Sequence, residues 1–232
     1  MKNLRLIFTI ILFTFFIAIQ AYAQDWANLN RFKDANAQLE LMASKKNQVV
    51  FMGNSITEGW LRDSLSFFYN KPYINRGISG QTTPQMLVRF RADVINLKPS
   101  VVVILAGIND IAGNTGPSTI EMIANNIMSM AELAKANGIK VVLCSVLPAY
   151  DFPWRPGMNP SEKVVELNKR IKDYSAKNGM IYLDYFTQMV DERNGLKEVL
   201  TYDGVHPNNA GYKLMAPLAE EAIEKALIMI KK

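Results

Sequence analysis

One histidine and one cysteine are all that 232 residues contain, and each scarcity excludes a class of chemistry. A single His and a single Cys are too few to supply the nitrogen and sulfur shell of a zinc or other soft-metal site, so no metal is expected. Cys144 has no partner for an intrachain disulfide. It sits in the apolar run Val141–Val146 and reads as a small buried hydrophobe. No Lys/Arg run and no basic stripe with interleaved aromatics occurs, which argues against nucleic acid as a partner. The loops also lack G-x-G-x-x-G and the lysine of a P-loop, which argues against a nucleotide binder. Internal repeats, low-complexity tracts and domain linkers are absent as well.

The first 23 residues read as a leader rather than as part of the fold. Lys2 and Arg5 form a basic start, Leu6–Ile19 is an apolar run of 14 residues, and Ala21-Tyr22-Ala23 has the small-x-small pattern of a cleavage site. The run is short for a bilayer span, and no lipid-carrying cysteine follows it, so no stable membrane anchor is expected. The expectation is an exported protein, periplasmic or secreted, cleaved near Ala23–Gln24. Residues 24–232 would then form a single domain, and losing Lys2 and Arg5 lowers the formal charge from +5 to +3.

Short β-rich runs alternate with longer segments of helical period, the pattern of a parallel sheet with crossover helices. Strands are predicted at Gln48–Met52, Tyr73–Asn75, Val101–Ala106, Lys140–Val146 and Met180–Leu183. Helices are predicted at about Asp25–Ser44, Pro84–Leu97, Ser118–Asn137, Ser161–Asn178 and Asn208–Ile230, the last interrupted by Pro217. The fold class is α/β: a three-layer α/β/α sandwich with a five-stranded parallel sheet, flavodoxin-like in outline. In such sheets ligands bind beyond the carboxyl ends of the strands, so the loops there carry the interest.

The lone histidine lies in Asp203-Gly204-Val205-His206. A carboxylate three residues before an imidazole can reach its Nδ1 across a turn, fix the tautomer and leave Nε2 to take a proton. Such turns also arise by chance, and a lone His is more often structural than catalytic. Ser55 follows the first strand in Gly53-Asn54-Ser55-Ile56 and leads into a short helix. It can attack a carbonyl if a base takes its proton, although a serine there is more often a helix cap. The second strand runs into Ile78-Ser79-Gly80, where a glycine can present its N–H to a ligand or simply turn the chain. The third ends in Gly107-Ile108-Asn109-Asp110, whose Asn109 amide can donate to an oxyanion or close an Asx turn. Asp110 reads as a structural acceptor. The irregular stretch Leu147–Pro160 holds four prolines with Tyr150, Phe152 and Trp154.

Taken together, these four blocks resemble the ordered motifs of the SGNH hydrolases, the GDSL lipase/esterase family. Each tetrapeptide alone is a weak signal. Four in order, with the chain's only histidine in the last, are a strong one, and they span essentially the whole mature chain. The resemblance implies Ser55 as nucleophile, His206 as general base and then acid, and Asp203 as the orienting carboxylate. It implies an oxyanion hole from the N–H groups of Ser55 and Gly80 with the Asn109 side chain. Asn54 stands where the family more often has Asp, and Ile56 where it has Leu, so no role needing a carboxylate is carried over to position 54.

The activity this resemblance implies is that of a serine esterase working through an acyl-enzyme, with no cofactor. Its substrate would be a small-molecule or carbohydrate ester. Small exported members of the family often deacetylate carbohydrates, which makes O-acetyl esterase the preferred refinement. Platelet-activating-factor-like acetylhydrolase, lysophospholipase and thioesterase activities are the alternatives, and a carbohydrate- or lipid-binding protein on the same fold is the non-enzymatic one. Asn54, Trp60, Tyr150 and Trp154 are the candidate substrate contacts, the aromatics because flat surface can stack on a sugar.

Overall fold

A computed structural model of the protein describes residues 25–41, 47–63 and 65–230. The expected leader, and the end of the helix predicted at Asp25–Ser44, lie outside the described residues. Five strands form one wholly parallel sheet in the order β2-β1-β3-β4-β5: β1 Val49–Gly53, β2 Tyr73–Gly77, β3 Val101–Leu105, β4 Lys140–Cys144 and β5 Ile181–Leu183. β1 and β3 are buried along their whole length, as continuous apolar runs require when helices cover both faces.

The main helices are α1 Lys33–Leu41, α2 Ser55–Asp63, α3 Thr83–Phe90, α4 Ile120–Ala136, α5 Ser161–Asn178 and α6 Asn209–Ile228. Helices α3, α4 and α5 pack side by side on one face, and α2 and α6 on the other, giving the expected sandwich. The chain winds one way from β1 to β2 and the other way from β2 onward. The carboxyl ends of β1, β2 and β3 are therefore neighbours, with Gly53 paired to both Gly77 and Leu105. Among the described residues no helix is long and apolar enough to cross a membrane.

Several boundaries differ from the sequence reading for local reasons. The first helix begins late: the Asp25 carboxylate accepts the Asn30 N–H at 3.1 Å, Asn28 turns left-handed at φ 56°, and a 3-10 turn, Leu29–Phe32, precedes α1. β4 stops at Cys144 because Asn168 of α5 claims both backbone groups of Val146, at 2.7 and 2.9 Å. The helix predicted at Pro84–Leu97 divides after Phe90 into a wider turn at Arg91–Ile95, closed by Asn96 N–H to Arg91 C=O at 2.9 Å. Cys144 is buried, and burial pushes its thiol pKa up, away from reactivity.

Candidate active site

Asn54 settles what the serine beside it is doing. The Asn54 carbonyl accepts the Glu58 N–H at 2.9 Å, and its side-chain Oδ1 accepts the Ile56 N–H at 3.2 Å, so Asn54 caps α2. Ser55 is thereby released from the capping role and stands in the first turn, where its own N–H has no acceptor within the helix. Close packing fixes this turn against β2. A Cβ on Gly77 would meet the Glu58 backbone nitrogen at 2.2 Å, so only glycine fits there.

The histidine arrives from the far end of the chain. Thr201 Oγ1 donates to the His206 carbonyl at 2.7 Å, and the Tyr202 N–H donates to the same oxygen at 3.0 Å, closing a tight turn before α6. Asn208 then caps α6, accepting from Ala210 and Gly211 N–H at 2.9 and 3.1 Å. Inside the turn both oxygens of Asp203 are engaged. Oδ1 accepts from Val205 and His206 N–H at 3.0 and 2.7 Å, and Oδ2 faces His206 Nδ1 at 2.8 Å. Burial pushes the Asp203 pKa upward, but these hydrogen bonds outweigh it and hold the carboxyl below its ordinary value. His206 Nε2 lies 2.9 Å from Ser55 Oγ. Serine, imidazole and carboxylate thus form one continuous hydrogen-bonded chain, able to move a proton off the hydroxyl.

Two further predicted positions face the same strand ends. Gly80 adopts φ 77°, left-handed backbone that favours glycine, and its carbonyl accepts from Asn114 Nδ2 at 3.0 Å, which orients the loop. The buried Asn109 gives one amide N–H to the Gln81 carbonyl at 2.9 Å, and its side-chain amide carries a second. Asp110 lies behind them, accepting from the Thr83 N–H at 3.0 Å to each oxygen and from Thr83 Oγ1 at 2.6 Å. Burial raises its pKa to about 6. It ties the β3 loop to the start of α3 and has no bond to the imidazole, in keeping with a structural acceptor.

Ser55, Asp203 and His206 line an open cleft of about 700 Å³, together with Glu58, Arg62, Ser79 and Tyr202. The model of the GDSL-like lipase/acylhydrolase family matches residues 51–214, which takes in all four motif blocks and the cleft. The chain belongs to that family. A GDSL-like lipase from Bacteroides thetaiotaomicron is 51% identical, with a TM-score of 0.84 over 87% of this chain and 99% of that one. The esterase TesA of Pseudomonas aeruginosa is 28% identical over 67% of this chain and 73% of its own. An acetylxylan esterase of Xylanibacter ruminicola is 25% identical over 76% of this chain, which spans only 43% of that protein. This GDSL-like hydrolase is accordingly a carboxylic ester hydrolase.

The four candidate substrate contacts divide evenly. Asn54 is buried as a helix cap, and Trp60 is buried in an aromatic cluster, stacked on Phe67 at 4.3 Å and Tyr212 at 5.5 Å. Both are corrected to structural positions, because neither presents a surface to the cleft. Trp154 and Tyr150 remain, 47% and 49% exposed. Trp154 stacks on Phe152 at 5.3 Å and lies 5.8 Å from the His206 ring. Tyr150 lies under the Arg193 guanidinium at 4.9 Å, in a groove of about 300 Å³ that shares Asp203 with the cleft. The loop holding both is organised by Asp151, whose carboxylate accepts Phe152, Gly157 and Met158 N–H at 2.9, 2.7 and 3.1 Å.

Sequence reading passed over Glu58, Gln81, Asn114 and Arg89. Glu58 accepts from Ser79 N–H at 2.9 Å and from Arg31 at 3.1 Å, pinning the block before Gly80 to the N-terminal segment. Arg89 had a visible signal: it falls on the buried stripe of α3 with Thr83, Met86 and Phe90.

Proposed function

We propose that this hydrolase is an exported serine esterase that removes short acyl groups, acetyl above all, from carbohydrate hydroxyls. The observation that carries the reading is the 2.9 Å approach of Ser55 Oγ to an imidazole whose other nitrogen is held by Asp203 at 2.8 Å. Ser55 attacks the ester carbonyl while His206 takes its proton, and Asp203 stabilises the imidazolium. The carbonyl oxygen becomes an oxyanion facing the Ser55 and Gly80 N–H groups and the second Asn109 amide hydrogen. The tetrahedral adduct collapses as His206 gives its proton to the departing alcohol, leaving an acyl-serine. Water, deprotonated by His206, then hydrolyses this ester and frees the acid. Only a neutral imidazole can accept the serine proton.

The choice of alcohol rests on where the aromatics sit. The leaving oxygen must lie next to His206, so Trp154, beside that ring, is on the alcohol side of the scissile bond. A pyranose presents an apolar C–H face that suits such a surface, and Tyr150 with Arg193 extends the same side. The acetylxylan esterase among the relatives supports this reading, and the basic, apolar leader supports export.

The test is hydrolysis of p-nitrophenyl acetate, butyrate and octanoate, and of acetylated xylo-oligosaccharides, by wild type, Ser55→Ala and His206→Ala. Acetate-selective turnover lost in both variants, with deacetylation of the sugars, is the expected result. Octanoate preference would overturn the substrate assignment, and turnover surviving both substitutions would overturn the machinery.

A further inference from the structure

One buried guanidinium reaches both segments that carry a backbone donor of the proposed oxyanion hole. Arg89, near the end of α3, is 0% exposed. Its Nη2 donates to the Gly53 carbonyl at 3.0 Å and to the Arg76 carbonyl at 2.9 Å. Gly53 ends β1 two residues before Ser55, and Arg76 lies in β2 four residues before Gly80. Its Nε donates to Gln81 Oε1 at 2.6 Å, and Gln81 follows Gly80 and accepts the Asn109 amide on its own carbonyl. The remaining arm, Nη1, pairs with Asp93 at 2.8 Å.

The pairing is itself anchored. Asn36 of α1 donates to Asp93 at 2.7 Å and accepts two N–H groups of Arg76, at 2.9 and 2.7 Å. Arg89 thus pairs with the buried carboxylate directly, and Arg76 is linked to it through the Asn36 amide. Burial lowers the Arg76 pKa to about 10 and lowers that of Arg89 as well, with Asp93 opposing the shift in both. Stability alone is a poor reason for this arrangement. Removing such charges from water is costly, and apolar residues of similar volume often serve a core as well or better. What apolar residues cannot do is hold three separate loop ends at fixed spacing through directional bonds.

We propose that Arg89 is the positioning residue of the oxyanion hole. It fixes the ends of β1 and β2 and the Gly80–Gln81 segment relative to one another, so the three donors converge before substrate arrives. Arg89 touches no substrate; it acts through the carbonyls of Gly53 and Arg76 and the side chain of Gln81. The inference rests on the Ser55 assignment above. A guanidinium suits this role, because its planar fork spans acceptors on separate segments that a compact ammonium cannot all reach.

The test compares wild type, Ser55→Ala, Arg89→Met, Arg89→Lys and Gln81→Met on p-nitrophenyl acetate, with reactive serines counted by end-point fluorophosphonate labelling. Arg89→Met is expected to lower kcat per labelled serine about 100-fold with KM nearly unchanged, the scale of a small misplacement of catalytic groups. Inhibition by phenylboronic acid, whose tetrahedral adduct needs the same donors, weakens by a similar factor. Arg89→Lys stays close to Arg89→Met, and Gln81→Met, which removes one arm, loses about tenfold. Wild-type kcat per labelled serine in a folded Arg89→Met, a loss confined to KM, or full rescue by Lys would overturn the proposal. If Arg89→Met does not fold, an unchanged kcat in Gln81→Met overturns it instead. A Ser55→Ala protein that still turned over would sink the nucleophile assignment itself, which is a separate and recognisable result.

Discussion

Asp203 lines the cleft, Asp110 lies buried behind it, and the two have been pushed in opposite directions. Both accept several hydrogen bonds, and for both burial is the largest influence. Asp110 lies among buried groups and rises to about 6 despite its bonds from Thr83. Asp203, its side chain 33% exposed, is carried below its ordinary value by His206 and Val205. The contrast extends to the halves of the site they belong to. The proposed serine and oxyanion half, on β1, β2 and β3, is held from beneath by buried ions, while Ser55 is partly buried and Gly80 is exposed at the cleft. The proton-transfer half is a single surface turn, its His206 side chain 31% exposed and held by bonds within a few residues. In the proposed reaction, charge develops where the donors are fixed from beneath. Protons, and the departing alcohol, are handled where solvent and substrate can reach.

If that division is right, the deepest cut comes from Asp203→Asn. It leaves the oxyanion half untouched yet should reduce kcat by about 10⁴-fold, because the amide favours the wrong imidazole tautomer. A loss below tenfold would mean that the turn alone orients His206. Asn109→Ala strikes the other half and should lower kcat by about 10²–10³-fold with KM little changed. A rise in KM instead would show that the amide binds ground state and transition state alike. Trp154→Ala probes only the rim. Stacking contributes about 0.5–1.5 kcal/mol, so kcat/KM on acetylated xylo-oligosaccharides should fall by up to about tenfold. p-Nitrophenyl acetate hydrolysis should hold, and equal losses on both substrates would make Trp154 a support for His206 rather than a sugar contact.

The smallest effect is on stability, and its sign separates the two aspartates. Asp110 has a folded pKa above its unfolded value, so its contribution is full below about pH 4 and is lost as pH rises through about 6. Denaturant unfolding should therefore show wild type gaining on Asp110→Asn as pH falls from 7 to 4. Asp203 has a depressed folded pKa; its contribution is present above its unfolded value and is lost only as pH falls through the lower folded one. Wild type should lose ground to Asp203→Asn only below about pH 4. Parallel curves for the two variants would erase the distinction between the halves.

Much of the fold and site was legible because β-rich runs such as Val101–Leu105 have few alternatives, and because the four motif blocks fall at strand ends or before α6. The remainder failed for identifiable reasons. Asn54 and Ser55 are both good cap formers, and which of them caps depends on where the first helical turn starts, a matter of one residue. Trp60 sits two residues from Glu58, which does line the cleft. Two residues along a helix turn a side chain by about 200°, so Trp60 faces inward to Phe67 and Tyr212. Arg89 lay on the buried stripe of α3, but a charged residue is ordinarily assigned to solvent, and periodicity yields to that habit. The division of the helix after Phe90 had no local signal, since no proline or glycine marks it.

The Asp151 carboxylate, gathering the backbone of its own loop, has a consequence for how this enzyme can change. A segment gathered in this way, with Phe152 buried beneath it and Arg155 bonded to the Ala112 carbonyl, keeps its shape while its exposed residues change. The exposed side chains around Trp154 are then free to differ between relatives, altering what is recognised while leaving the chemistry as it was. Divergence within the family would on this account be fastest over residues 147–160 and slowest along α3, with new substrates won by editing the surface and reactivity inherited from beneath it.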